Sequence, residues 1–153
     1  MTNDARADAS GSISIVRDFD APRELVFRDW IDPEEVGTWF APDGFTVTLC
    51  EVDGRRAGSW RVEYESESGE RYLEYGVFHE VRPPEELVFT LKQESGDGRI
   101  GPTTLVTVQF ADIGGKTRMS FVQTGFTSSV MRDDHVEGWS ECFRKLARRL
   151  ARQ

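Results

Sequence analysis

The chain has 153 residues, a length typical of a single domain and sufficient to bury a hydrophobic core. Its net charge of −8 disfavours binding to nucleic acid or to an anionic membrane surface, since both carry negative charge. No apolar run approaches the roughly 18 residues of a membrane span, so we expect no span.

The amino-terminal residues and the cysteines indicate the compartment. Residues 1–11 are polar, without the features of a signal or transit peptide, and we expect them to form a flexible tail. Cys50 and Cys142 lie far apart and form no disulfide framework. Reduced thiols in a cytoplasmic protein are the simpler interpretation. Residues 12–153 are predicted to form one domain.

The first predicted elements are a strand and two short helices. Residues 13–19 alternate as a strand, with Arg17 on the same face as the apolar side chains. A helix is predicted to begin at Pro22, since proline suits a first helical turn. Asp32 is predicted to cap a second helix, with Pro33 at its first position and Glu35 completing a capping box.

From residue 45 onward the pattern changes to strands separated by turns. Period-two alternation between glycine- or proline-containing turns predicts six further strands, at 46–52, 59–66, 72–81, 86–93, 105–110 and 118–123. Residues 125–132 are predicted to be a linker. Successive strands joined by short turns are expected to pair antiparallel.

The last stretch, residues 134–152, predicts a long helix. Its apolar residues recur every three or four positions and form one stripe: Val136, Trp139, Phe143, Leu146 and Leu150. Asp134 and Glu137 are predicted to form its capping box. Because the strands do not alternate with helices, we predict an α+β fold. In it, a curved antiparallel sheet of about seven strands wraps around the carboxy-terminal helix, and two short helices follow the first strand.

Several motifs in this order resemble a known family. They are residues 17–28, Trp30, Asp32-Pro33, Trp39, Pro42, residues 53–61, Gly76-Val77-Phe78, Pro83-Pro84-Glu85, and Gly138-Trp139 with Leu146-Ala147. Together they resemble the family named after the activator of the Hsp-90 ATPase. It lies within the START and birch-pollen-allergen superfamily of helix-grip (SRPBCC) folds. Ala57 departs from the family pattern by replacing a glycine, and Phe40 by replacing a common tryptophan.

The resemblance implies an apolar pocket between sheet and helix, opening near the two short helices. Aromatic residues are the candidates for lining it: Trp30, Trp39, Phe45, Trp60, Phe78, Phe89, Phe121, Trp139 and Phe143. The alternative is that these side chains simply fill the core, as large apolar residues usually do. Arg17, Arg61 and His79 are candidate polar anchors. A buried Arg17 would need a carboxylate from the protein or from an acidic ligand.

Three functions remain open at this stage. The first is a domain that binds a small apolar or aromatic molecule without a cofactor, as a monomer or homodimer. The second is chaperone activation, which the family name implies. The eukaryotic activator uses a further N-terminal domain for much of this binding, whereas a polar tail precedes the fold here. The third is a cyclase- or hydratase-type enzyme. No spacing of histidines, cysteines or serines predicts a metal site or a catalytic nucleophile.

Overall fold

A computed structural model describes residues 3–7 and 11–152. The elements follow one another along the chain as eight strands and three helices. In order they are β1 (Asn3–Ala7), β2 (Ile13–Phe19), α1 (Arg23–Ile31), α2 (Pro33–Val36), β3 (Phe45–Val52), β4 (Ser59–Ser66), β5 (Arg71–Arg82), β6 (Glu86–Ser95), β7 (Thr104–Ile113), β8 (Lys116–Thr124) and α3 (Ser129–Leu150).

The eight strands form one antiparallel sheet in the order β1-β2-β8-β7-β6-β5-β4-β3. Helices α1 and α2 carry the chain from β2, near one edge of the sheet, to β3 at the other edge. The sheet is curled into a half-barrel, with the long helix α3 at the carboxy terminus. The predicted α+β helix-grip fold is therefore confirmed. Within the described residues, no helix combines the length and apolar character needed to cross a bilayer.

The bounds of the predicted strands lie within three residues of those in the structure, and two larger differences occur near the chain ends. Residues Asn3–Ala7, expected in a flexible tail, pair with β2 as an edge strand, because main-chain hydrogen bonding does not require an apolar pattern. Helix α3 begins at Ser129 rather than at Asp134, so it includes part of the predicted linker. Ser128 is its N-cap, and the Ser128 hydroxyl accepts a hydrogen bond from the backbone N–H of Met131 at 3.3 Å.

The cap of α2 is only partly as predicted. The Asp32 carboxylate accepts a hydrogen bond from the Glu34 backbone N–H at 3.0 Å, as an N-cap should. The Glu35 side chain, however, forms an ion pair with Arg149 of α3. Arg149 also lies 3.5 Å from the carboxylate of Asp29, which is fully buried on α1. Arg149 therefore ties the end of α3 to both short helices.

The turn between β3 and β4 explains part of the family motif. Ala57, which replaces a glycine, has a φ of 67°, in the left-handed region that glycine adopts at lower cost. At Gly58, a Cβ atom would lie 2.1 Å from the Asp53 carbonyl oxygen, so glycine is required. Arg55 donates to the Asp53 carboxylate at 2.9 Å and fixes the turn.

Helix α3 is attached to the sheet by a buried chain of hydrogen bonds. The Trp139 indole N–H donates to the Gln123 amide oxygen at 2.8 Å, and the Gln123 amide nitrogen donates to the Thr104 hydroxyl at 2.9 Å. The Thr104 hydroxyl donates to the Leu91 carbonyl oxygen at 2.7 Å. Satisfying these polar groups in the core fixes the position of the helix over β6, β7 and β8.

Candidate functional site

A cleft of about 300 Å³ lies between the middle of α3 and strands β3 to β6. Its walls combine aromatic rings, carboxylates and a small polar cluster. The lining residues are Phe40, Pro42, Asp43, Phe45, Tyr64, Glu70, Tyr72, Glu74, Gln93, Asp134, His135, Glu137, Gly138, Trp139, Glu141 and Cys142. Since Phe40, Pro42 and Asp43 follow α2, the cleft adjoins the chain segment that leaves the short helices.

The polar cluster at the sheet wall consists of Tyr64, Glu74 and Gln93. Glu74 is directly opposite Gln93 in the pairing of β5 with β6, and Tyr64 lies on the next strand, β4. The Tyr64 hydroxyl donates to Glu74 Oε2 at 2.5 Å, and the Gln93 amide donates to the same oxygen at 2.9 Å. The carboxylate is therefore held in place by two neutral donors.

Burial shifts the titration of several groups in the cleft. The pKa of Tyr64 lies well above its usual value because of burial and the adjacent Glu74 carboxylate, so the phenol stays protonated. Burial lowers the pKa of His135, and the nearby Glu74 and Asp134 carboxylates oppose this only in part. Burial also raises the pKa of the Cys142 thiol. At neutral pH the cleft thus presents a phenol, a neutral imidazole and an unreactive thiol.

Aromatic side chains form the walls around this cluster. Phe45, Tyr64 and Tyr72 pack on one another on the sheet side, with ring centroids 5.5 to 5.8 Å apart. On the other side, Phe40 packs edge-on against Trp139 at 5.3 Å. A ligand in the cleft would therefore meet aromatic rings on both sides of a carboxylate.

The predicted lining residues divide between the cleft and the core. Phe45 and Trp139 line the cleft. A separate void of about 20 Å³ is bordered by four others, Trp30, Trp60, Phe78 and Phe89. Trp39, Phe121 and Phe143 are buried and line neither space. Around Trp30 the rings pack closely, for example 4.9 Å from Trp39 and 5.9 Å from Phe143, because the α3 stripe fills the curve of the sheet.

The three predicted polar anchors lie outside the cleft. Arg61 and His79 are exposed, and Arg61 lies 3.9 Å from Glu51. Arg17 is half-buried on β2, where burial and the nearby Arg144 lower its pKa. Among the side chains that the structure describes, no carboxylate forms an ion pair with Arg17. A ligand-binding role for any of these three residues stays a prediction.

Glu74 and His135 are not among the residues that the sequence predicts for the site, although strand parity contains a signal for Glu74. Tyr72, Glu74 and Phe78 share one face of β5, so a carboxylate stands among inward-facing aromatic residues. His135 had a weaker signal, because it lies one helical turn before Trp139, at the edge of the buried face of α3. In the described ranges, no three His, Cys, Asp or Glu side chains are arranged to hold a metal ion.

Comparison with known proteins identifies relatives over nearly the whole chain. Residues 20–151 match the model of the family described as activator of Hsp90 ATPase homolog 1-like protein. No curated protein matches the chain significantly.

Solved structures from several bacteria share the architecture. Protein CV1439 from Chromobacterium violaceum has a TM-score of 0.83 at 26% identity, covering 92% of this chain and 96% of that one. The AHSA1 (SPO3351) protein from Silicibacter pomeroyi has a TM-score of 0.83 at 27% identity, covering 92% of this chain and 98% of that one. A protein from Arthrobacter aurescens has a TM-score of 0.83 at 22% identity, and the match covers 98% of this chain and 92% of that one. At this identity the likeness shows the shared fold.

Proposed function

The chain belongs to the family of activator of Hsp90 ATPase homolog 1-like proteins, and we propose that it is a small-molecule binding domain whose ligand occupies the cleft beside α3. The observation that carries this proposal is a concave space of about 300 Å³ that combines aromatic walls with a buried polar cluster. This volume is at the lower end of the range for ligand pockets, about 300–1,000 Å³.

The buried polar groups favour a binding site over an incompletely filled core. Glu74 is only 6% exposed and His135 only 8% exposed, and both line the cleft. His135 Nε2 is buried without a hydrogen-bond partner among the described residues. Leaving such groups unsatisfied costs free energy, so core positions of this kind are normally apolar. A bound molecule with matching polar groups would recover that cost.

Gly138 provides a way to block the cleft without disturbing the fold. It lies in the middle of α3 on the cleft wall, and an added Cβ would meet no atom within 4 Å. Leucine has a higher helix propensity than glycine by roughly 0.8 kcal/mol, so Gly138→Leu is expected to keep the helix and fill the cleft. Arg148→Leu, at an exposed position of the same helix, is the matched control.

The test is native mass spectrometry of each variant purified from its own host, followed by denaturation to release bound molecules. We expect a small molecule with the wild type and with Arg148→Leu, and none with Gly138→Leu. Equal retention by Gly138→Leu would place the ligand elsewhere and refute the proposed site.

A second candidate function is an acid–base enzyme of the cyclase or hydratase type. The observation that favours it is a carboxylate and a phenol joined by a hydrogen bond at the cleft wall. Such groups can move protons when their environment is partly dry. The test is to incubate a small-molecule extract of the host with wild type and with Glu74→Gln, and to compare metabolites by mass spectrometry. Consumption of a compound by the wild type alone would support catalysis.

The chaperone role that the family name suggests stays a prediction for this chain. Stimulation of an Hsp90 ATPase by the purified protein would measure it directly.

A further inference from the structure

Glu74 is a buried carboxylate without a cationic partner in the described part of the chain. Tyr64 and Gln93, both neutral, donate to its Oε2 atom. Among the side chains that the structure describes, no arginine, lysine or histidine forms an ion pair with Glu74. By contrast, the buried carboxylate of Asp29 lies 3.5 Å from both Arg28 and Arg149. Buried carboxylates are seldom left without a counter-ion, and the described side chains supply none for Glu74.

The second carboxylate oxygen of Glu74 is available to a ligand. Both hydrogen bonds from the described residues go to Oε2, and none goes to Oε1. Glu74 lines the cleft, and its neighbours fix the carboxylate so that little ordering would be needed on binding. A positively charged group in the cleft could therefore approach Oε1 without displacing a protein donor.

The rim of the cleft has the same sign of charge. Besides Glu74, it contains five carboxylates and no lysine or arginine: Asp43, Glu70, Asp134, Glu137 and Glu141. Three of them already accept hydrogen bonds: Asp43 from Arg144 at 3.1 Å, Glu70 from Tyr72 at 2.8 Å, and Glu141 from the Asp43 backbone N–H at 2.8 Å. Of these three donors, Arg144 alone is a cation. The remaining negative charge, close to low-dielectric walls, would attract cations and repel anions.

His135 gives an independent indication that a polar ligand belongs here. Its side chain is more than nine-tenths buried, lines the cleft beside Phe126, and leaves Nε2 without a hydrogen-bond partner in the described part of the chain. A ligand carrying N–H groups between Glu74 and His135 could bond to both residues. The aromatic rings of Phe45, Tyr64 and Tyr72 would contribute cation–π attraction.

We propose that the cleft selects an organic cation, a protonated amine on a small apolar or aromatic body, with Glu74 as its counter-ion. This inference rests on the proposed binding function and names the chemical class of its ligand. It requires that a cation bind more tightly than neutral or anionic molecules of the same shape.

Three probes of nearly equal shape test this directly: 2-phenylethylammonium, 2-phenylethanol and 3-phenylpropanoate. Each is titrated into the ¹⁵N-labelled wild-type protein, and backbone shifts of the cleft residues report position and affinity. We expect the ammonium probe to bind about tenfold more tightly than the alcohol, since a charge-assisted hydrogen bond is stronger than a neutral one. The carboxylate probe is expected to bind most weakly.

Two variants test whether Glu74 is the counter-ion of the bound ammonium group. Glu74→Gln keeps the side-chain shape and is expected to weaken ammonium binding about 30-fold, the lower end for removing one member of a buried charge pair. Glu80→Gln removes the same charge from an exposed position on β5 and is expected to leave affinity unchanged. If Glu74→Gln fails to fold, the order of the three probes on the wild type still decides the question.

The outcomes separate this inference from the proposed function. Equal binding of ammonium and alcohol in the cleft, or tighter binding of the carboxylate, overturns the inference and leaves the binding function standing. Ammonium affinity unchanged in a folded Glu74→Gln variant also overturns it. No shift of cleft residues with any of the three probes counts against both.

Discussion

Replacing Trp139 tests how the helix is held against the sheet. The indole is 4% exposed and packs between Phe121, at a centroid distance of 4.7 Å, and Phe143, at 5.5 Å. Truncating a buried tryptophan to alanine costs about 3–5 kcal/mol through lost apolar contact and the residual cavity. Trp139→Ala would also leave the Gln123 amide oxygen without its donor, although water from the adjoining cleft could reach it.

Trp139→Phe separates the two contributions. Phenylalanine retains most of the ring contact and removes the hydrogen bond to Gln123, which is fully buried. An orphaned buried acceptor costs roughly 1–3 kcal/mol, so we expect Trp139→Phe to lose about 1–3 kcal/mol. Val130→Ala is the control on the same helix, since Val130 is 69% exposed, and its effect should stay within about 0.5 kcal/mol.

Urea denaturation followed by far-ultraviolet circular dichroism measures these losses. The midpoint is expected to fall while the dependence of unfolding free energy on urea stays unchanged. A loss below about 1 kcal/mol for Trp139→Ala would refute the argument that the indole supports the core, and would leave Trp139 with a role in the cleft alone.

Three further predictions follow from single side chains. Burial lowers the pKa of His135, so the unfolding free energy should be fully retained above about pH 6.5, the usual histidine pKa, and should fall as the pH drops below that value. Urea denaturation of His135→Gln should not show this loss at low pH, whereas the control variant His79→Gln should show it. Ala57→Gly should raise stability by about 1 kcal/mol in urea denaturation, since the left-handed φ of Ala57 costs less for glycine, and a decrease would contradict this. Arg149→Met should cost about 3 kcal/mol in the same assay, because the buried Asp29 loses a counter-ion, and a loss below about 1 kcal/mol would show that Arg28 alone suffices.

The sequence predicted the fold well because the fold depends on periodic patterns. Alternation in β4 and the three-and-four spacing of the α3 stripe specify which faces are buried. Element ends were less accurate where a local polar contact sets them. Ser128 caps α3 upstream of the predicted cap at Asp134, and the Glu35 side chain forms an ion pair with Arg149 instead of the predicted capping box. Such choices depend on competing partners that a linear pattern does not rank.

The candidate site was only partly accessible from the sequence. Aromatic residues were expected to line a pocket, and Phe45 and Trp139 lie at the cleft, whereas Trp30 and its neighbours fill the core. Hydrophobic pattern identifies the inward face of an element but not how closely the facing side chains pack. Whether an inward-facing ring meets another ring or an open space depends on the volumes of both surfaces.

Fold class, family and the inward faces of β4 and α3 can be predicted from the sequence, because they follow from local periodicity and from the order of short motifs. Only folding brings Tyr64, Glu74 and Gln93 together at one wall of the cleft and places His135 on the opposite wall. Their meeting depends on strand register and on the placement of α3, which is fixed by long-range contacts such as the hydrogen bond from Trp139 to Gln123. Those contacts form only when distant segments pack together, so the charged groups that line the cleft cannot be identified from local sequence patterns.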